Sequence, residues 1–233
     1  MIHILTLKVG DKYPSSIVNE LYEGILNNST VPFKFICYTE DSSGLLLDIA
    51  TIPIEDSHKY KLQWHKMKFH DPSLTNITKG EDCIVMDIDM KILNNIDEIL
   101  TYPISKNEYG VTRRWYSDKQ DKCSINGGFQ KFKMGYTKEL YNIFSSNFRK
   151  WQEYFIENDL SIGPVSGEQN FIDMHIEEIG LKKNYLPDYW FSKYHEKILD
   201  NYLKRRYRYF GKGPFMIGDK LNDNIKIVHY SRA

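Results

Sequence analysis

Cys83-Ile84-Val85-Met86-Asp87-Ile88-Asp89 is the stretch on which the fold of this chain turns. Its first four residues form a fully apolar run of the kind found in a strand covered on both faces. The run ends abruptly on two carboxylates. Residues two apart on a strand project from one face, so Asp87 and Asp89 are expected to point the same way. At about 5 Å and an effective dielectric near 20, two such charges repel by roughly 3 kcal/mol. A divalent cation removes that cost, and a hydrophobic setting aggravates it. A hard cation, Mg²⁺ or Mn²⁺, is the natural third partner, with open positions of the kind that phosphate oxygens occupy. The plain alternative is that Asp-Xaa-Asp marks the start of a solvated loop.

Working outward, Met1 to Leu7 alternates as a short strand, and Pro14 opens a helix whose Ile17, Leu21 and Ile25 recur every four residues. Phe33 to Thr39 reads as a second strand, closed by Glu40-Asp41-Ser42-Ser43-Gly44, and Leu45 to Ile54 as a third. Trp64 to Phe69 predicts a short helix before Pro72, Asn94 to Leu100 a helical turn, and Tyr109 to Trp115 a strand. Gly128 to Met134 reads as another strand, entered through Asn126-Gly127-Gly128. The pattern then turns helical. Leu140, Phe144, Phe148, Trp151 and Phe155 make one apolar stripe, and Phe171, Ile172, Ile176 and Ile179 a second, stopped by Gly180. Ile225 to Val228 is a last apolar strand that delivers His229. Strands alternating with helices predict an open α/β sheet. With no repeat, low-complexity tract or linker, residues 1–233 read as a single domain.

The composition narrows the function. A chain of 233 residues with 41% hydrophobic content can bury a core without disulfides or a structural metal, so a bound metal would serve chemistry. The 31 basic and 31 acidic side chains cancel, which leaves no global field for a polyanion, and no nucleic acid partner is expected. Cys37, Cys83 and Cys123 are odd in number and lack CxxC spacing, which fits a reducing, cytoplasmic setting. No basic leader precedes Ile2, and no apolar run approaches the roughly 18–20 residues of a spanning helix, so export and membrane insertion are not expected. His229 can meet Asp87 if the two strands end on one edge of the sheet. An imidazole beside two carboxylates suits Mn²⁺ better than Mg²⁺.

Five pieces in order resemble glycosyltransferase family 8, the glycogenin and bacterial galactosyltransferase group. They are Trp64-His65-Lys66-Met67; Cys83 to Asp89 followed by Asn95-Ile96-Asp97-Glu98-Ile99-Leu100; Asn126-Gly127-Gly128; Gly167-Glu168-Gln169; and Val228-His229-Tyr230. The resemblance implies a Rossmann-like GT-A fold, a mixed, mostly parallel central sheet flanked by helices, in which Asp87, Asp89 and His229 hold Mn²⁺ against the diphosphate of a nucleotide sugar. It places Thr6, Leu7 and Tyr13 at a uridine pocket, Lys66 near phosphate or sugar, Asn126 and Gly127 facing the donor sugar, and Glu168 and Gln169 at the reacting centre. It further implies a UDP-sugar donor, a glycan or other hydroxyl acceptor, and retention of anomeric configuration. The sequence departs from the family twice. Glu168 stands for the usual Asp, and no Gly-Xaa-Xaa-Lys-Pro-Trp tail follows His229 before Ala233, so the resemblance does not extend to the acceptor or phosphate contacts of that tail.

Two other readings compete. Asp-Xaa-Asp after a strand also resembles the haloacid-dehalogenase phosphohydrolases, and Gly218-Asp219-Lys220-Leu221-Asn222-Asp223 is similar to their later motif. Met90-Lys91 stands where that family has Xaa-Thr, and some eighty residues precede the supposed first motif. A sugar-binding or interaction protein of the same fold without turnover is the non-enzymatic reading. Tyr202-Leu203-Lys204-Arg205-Arg206-Tyr207-Arg208-Tyr209-Phe210 is its best feature, because basic residues interleaved with aromatics can seat an anionic acceptor, a nucleic acid strand or a membrane surface. The same run also fits a solvated helix face whose aromatics pack inward.

Overall fold

A computed structural model describes residues 1–114, 122–160, 167–195, 216–217, 220–221 and 224–231. The basic-aromatic run 202–210, Trp115, and Gly218, Asp219, Asn222 and Asp223 of the phosphohydrolase-like motif lie outside the described residues. Strand β1 (Ile2–Lys8), helix α1 (Ser15–Asn27), β2 (Phe33–Thr39) and β3 (Ala50–Pro53) come first. A 3₁₀ helix (Leu62–His70), α2 (Pro72–Thr75), β4 (Asp82–Met86), β5 (Met90–Ile92) and α3 (Asp97–Leu100) follow. Then come β6 (Glu108–Arg113), β7 (Ile125–Lys133), α4 (Lys138–Ser146), α5 (Phe148–Glu157) and α6 (Glu168–His175). The remainder comprises β8 (Lys182–Tyr185), a 3₁₀ turn (Asp188–Trp190), β9 (Phe191–His195), β10 (Met216–Ile217), β11 (Lys220–Leu221) and β12 (Ile227–Ser231).

The described strands form a seven-stranded sheet in the order β3-β2-β1-β4-β7-β6-β8. Its neighbours run parallel except where β7 lies antiparallel to β4 and β6. The apolar run explains why β4 is central. Cys83 and Val85 enter the cluster on one face, with Leu5, Trp64, Phe132 and Phe144, while Ile84 and Met86 enter the other, with Ile17, Leu21, Ile25 and Phe129. Each such side chain, fully buried, contributes about 1.5–3 kcal/mol. The mixed, mostly parallel sheet flanked by helices is the expected fold class.

Three local expectations need correction. The apolar stripe from Leu140 to Phe155 is not one helix: Asn147 leaves helical geometry at φ −149°, ψ 51°, and divides α4 from α5. The break lets Phe144 stack on Trp64 at 5.0 Å while Phe155 approaches the same indole at 6.4 Å. The segment Leu45 to Ile54 yields a strand only from Ala50. Strands β5, β8 and β9 were not expected, because three-residue β5 and the polar Lys182-Lys183-Asn184-Tyr185 carry no alternating apolar signal. No helix among the described residues is long and apolar enough to cross a membrane.

Candidate active site

The two aspartates converge by a different route from strand alternation. β4 ends at Met86, the Asp87 amide donates to the Gly128 carbonyl at 2.9 Å, and the Met90 amide donates to the Asp87 carbonyl at 3.1 Å. Asp87 and Asp89 therefore sit in a tight turn between β4 and β5. His229 also reaches them otherwise than expected. Its strand is not part of the main sheet; β12 pairs antiparallel with β5, His229 opposite Met90, within a three-stranded sheet β5-β12-β9. That register places the imidazole beside the turn, with Nε2 3.1 Å from Asp89 Oδ1 and 3.7 Å from Asp87 Oδ2. Ligand atoms of the three residues all lie within 4.8 Å of one another. The Tyr13 hydroxyl donates to the second Asp89 oxygen at 3.1 Å.

The wall behind this turn is bare backbone. A Cβ on Gly128 would stand 2.9 Å from both Asp87 Oδ2 and His229 Cε1, closer than real Cβ atoms come. A Cβ on Gly127 would stand 2.7 Å from that of Gln169, whose Oε1 accepts the Gly127 amide at 3.1 Å. Gly128→Ala is therefore expected to push the carboxylate turn and His229 apart and to weaken metal affinity about 10- to 100-fold, with a stability loss of about 1–3 kcal/mol. Mn²⁺ titration by calorimetry beside a thermal melt checks it; unchanged affinity would refute this account of the glycine.

Lys66 closes the site from the 3₁₀ helix. Its Nζ lies 2.5 Å from Asp87 Oδ1, 3.9 Å from Glu168 Oε2 and 3.5 Å from the Gly127 carbonyl. Burial acts to depress this ammonium, but Asp87 and Glu168 outweigh it and hold the lysine above its usual range. Glu168 opens α6 behind Gly167, whose φ of 153° only glycine adopts readily. A Cβ at Gly167 would also strike the Trp64 ring at 2.8 Å. Burial pushes the Glu168 carboxyl up to about 7, aided by Asp87 and opposed by Lys66 and by a 3.0 Å hydrogen bond from Gln130.

The structure thus brings together Tyr13, Lys66, Asp87, Asp89, Gly127, Glu168, Gln169 and His229. The other three candidates have side chains engaged within the protein. Thr6 is buried and its hydroxyl donates to the Met86 carbonyl at 2.8 Å. Leu7 belongs to the core, and Asn126 Oδ1 accepts the Gly128 amide at 3.0 Å. Gln130, which the sequence did not single out, lies fully buried on β7 against Glu168; its signal was a polar side chain in the middle of a strand buried as far as Phe132.

Two carboxylates and an imidazole with oxygens and nitrogen converging on one point form a donor set that fits a divalent cation, and the missing Cβ of Gly128 leaves its ligands free to converge. The two carboxylates give the cluster negative charge, and Lys66 lies beside it as a cation.

Neither family models nor curated protein sequences match this chain. Solved structures do. The galactosyltransferase LgtC in complex with donor and acceptor sugar analogues superposes with a TM-score of 0.60 at 12% identity, over 98% of this chain and 86% of that one. An active-site mutant of LgtC gives 0.61 at 11% identity, over 99% and 88%. The glycosyltransferase GlyE of Streptococcus pneumoniae gives 0.62 at 12% identity, over 100% of this chain and 55% of GlyE. The chain has the GT-A glycosyltransferase type of fold.

Proposed function

We propose that this chain is a metal-dependent glycosyltransferase that moves a sugar from a nucleoside diphosphate sugar, a UDP-sugar, to a hydroxyl of a glycan acceptor in polysaccharide biosynthesis. The observation that carries the reading is the convergence of Asp87, Asp89 and His229 with Lys66 beside them, on a fold shared with LgtC and GlyE. Residues 1–233 form one catalytic domain. Its three cysteines are free and buried, which supports a cytoplasmic setting.

Asp87, Asp89 and His229 would hold Mn²⁺, or Mg²⁺ in its stead. Bound there, the cation supplies Lewis-acid stabilisation of a departing diphosphate, worth several kcal/mol. Lys66 adds a second positive charge at the same end of the sugar bond. Thr6, Leu7 and Tyr13 flank the base, through backbone or ring, and Asn126 and Gly127 floor the sugar. Glu168 and Gln169 orient the sugar and stabilise the oxocarbenium-like centre. The acceptor hydroxyl attacks from the face the diphosphate leaves, so the configuration is retained.

Calorimetric titration of UDP and of GDP, with and without Mn²⁺, tests the reading. UDP binding that depends on Mn²⁺ is the expected result. Binding of neither nucleotide under any condition would sink it, and metal-dependent binding without turnover of any UDP-sugar would reduce the chain to a sugar-nucleotide binding protein of this fold.

A further inference from the structure

Behind Glu168 lies a buried polar chain that the reaction as drawn does not use. Gln130 is fully buried on β7, and its Nε2 donates both to Glu168 Oε1 at 3.0 Å and to the Gly127 carbonyl at 2.9 Å. Its Oε1 accepts the Tyr109 hydroxyl at 2.6 Å. Tyr109 in turn lies 3.5 Å from His70 Nε2, and His70 Nδ1 lies 3.1 Å from the Thr137 hydroxyl. Tyr109, His70 and Thr137 are buried as well.

The chemistry of the atoms fixes the direction of this chain. A flipped Gln130 amide would set its oxygen 2.9 Å from the Gly127 carbonyl, which can only accept, so Nε2 must face Gly127 and with it Glu168. Burial and the nearby Glu168 keep the Tyr109 phenol protonated, and its one proton goes to Gln130. The His70 bond must then run from Nε2–H to the tyrosine oxygen, which leaves Nδ1 to accept from Thr137. Burial pushes His70 down to about 3, in keeping with a neutral ring bearing one N–H. Every link therefore donates toward Glu168, and aligned bonds of this kind in a low dielectric reinforce one another.

We propose that Gln130 is a positioning residue: one buried amide, steadied by Tyr109 and His70, ties the Glu168 carboxylate to the Gly127 carbonyl so that reacting-centre and sugar-floor elements hold one fixed geometry. The role rests on the transferase reading given above. It predicts a loss in turnover rather than in nucleotide binding, because the amide touches neither the aspartate turn nor Lys66.

The test is a cycle of Gln130→Leu and Glu168→Gln, with UDP-glucose and UDP-galactose as donors, UDP release as the rate and Mn²⁺-dependent UDP affinity measured alongside. Gln130→Leu is expected to lower kcat about 10- to 100-fold, to leave UDP affinity unchanged, and to cost nothing further in the Glu168→Gln background. Losses that multiply across the cycle, or a loss confined to KM, would overturn the proposal. Gln130→Met keeps the side chain's length but removes both donated hydrogens and the acceptor of Tyr109, so it should match the leucine variant; native turnover there also overturns it. A second arm needs no turnover and no Gln130 variant. The Gln130 side-chain amide in ¹⁵N spectra should shift on Glu168→Gln, and an unmoved resonance refutes the link. A chain that shows the shift but binds no UDP would lose the transferase reading and keep the link. One that binds UDP with Mn²⁺ but shows multiplying losses would keep the reading and lose the role of Gln130.

Discussion

Asp89→Asn should abolish Mn²⁺-dependent UDP binding while leaving the apo protein about as stable as the native one. The substitution is close to isosteric and preserves an acceptor for the Tyr13 hydroxyl and an oxygen near His229. What it removes is one of two charges held within 4.8 Å of each other, whose mutual repulsion is roughly 3 kcal/mol at an effective dielectric near 20. A cation loses a carboxylate ligand, and affinity should fall on the order of 100-fold or more. The unliganded fold loses that repulsion along with the weaker attraction of Asp89 for Lys66, so its melting temperature should hold within a few degrees. Loss of function without loss of stability is what marks a functional cluster rather than a structural one. Calorimetry with UDP and Mn²⁺, beside a thermal melt of the metal-free protein, reads both. A destabilised variant that still binds UDP with metal would refute the assignment.

Lys66→Met should act in the other direction, on stability. Lys66 is buried against Asp87 and Glu168, and removing one partner of such a group costs about 3–5 kcal/mol because the remaining charge is left uncompensated. For a chain of this length that is a fall in melting temperature on the order of 10 °C. The loss should depend on pH. Glu168 titrates near 7 in the folded chain, above its ordinary value of 4.5, so the stability linked to its proton is complete below pH 4.5 and is lost as pH rises through 7. Without Lys66 the carboxyl climbs further, and the deficit of the variant should be larger at pH 8 than at pH 5. Melts at the two pH values decide it; an equal or reversed deficit would show that Lys66 and Glu168 are not coupled as the geometry has them.

Much of this was legible in the chain, for reasons particular residues make plain. Cys83 to Met86 announced a strand buried on both faces because no polar atom interrupts it, and it does lie between both cores. The periodicity of Ile17, Leu21 and Ile25 found α1 because a helix against a sheet needs only one apolar face. Eight of the candidate residues prove to lie together, but how they meet could not be read. Asp87 and Asp89 converge through a turn, and His229 arrives by pairing with a three-residue strand that has no sequence signature of its own. Pairing partners distant in the chain are set by register, which local pattern does not encode. Gln130 escaped for a related reason, since its importance lies in Glu168 and Tyr109, both remote in sequence.

The pairing of β12 with β5 also bears on the order in which the protein assembles. Both aspartates belong to the first half of the chain and their turn can be in place once β4 has joined β1 and β7, whereas the imidazole comes from the last described strand. Closing so long a loop is an entropic cost met late. A growing polypeptide would thus carry the two carboxylates without their imidazole until β12 is made, and the complete three-residue grip would exist only in chains whose β12 has docked on β5. Capture of a cation by all three ligands would then serve as a signature of completed folding.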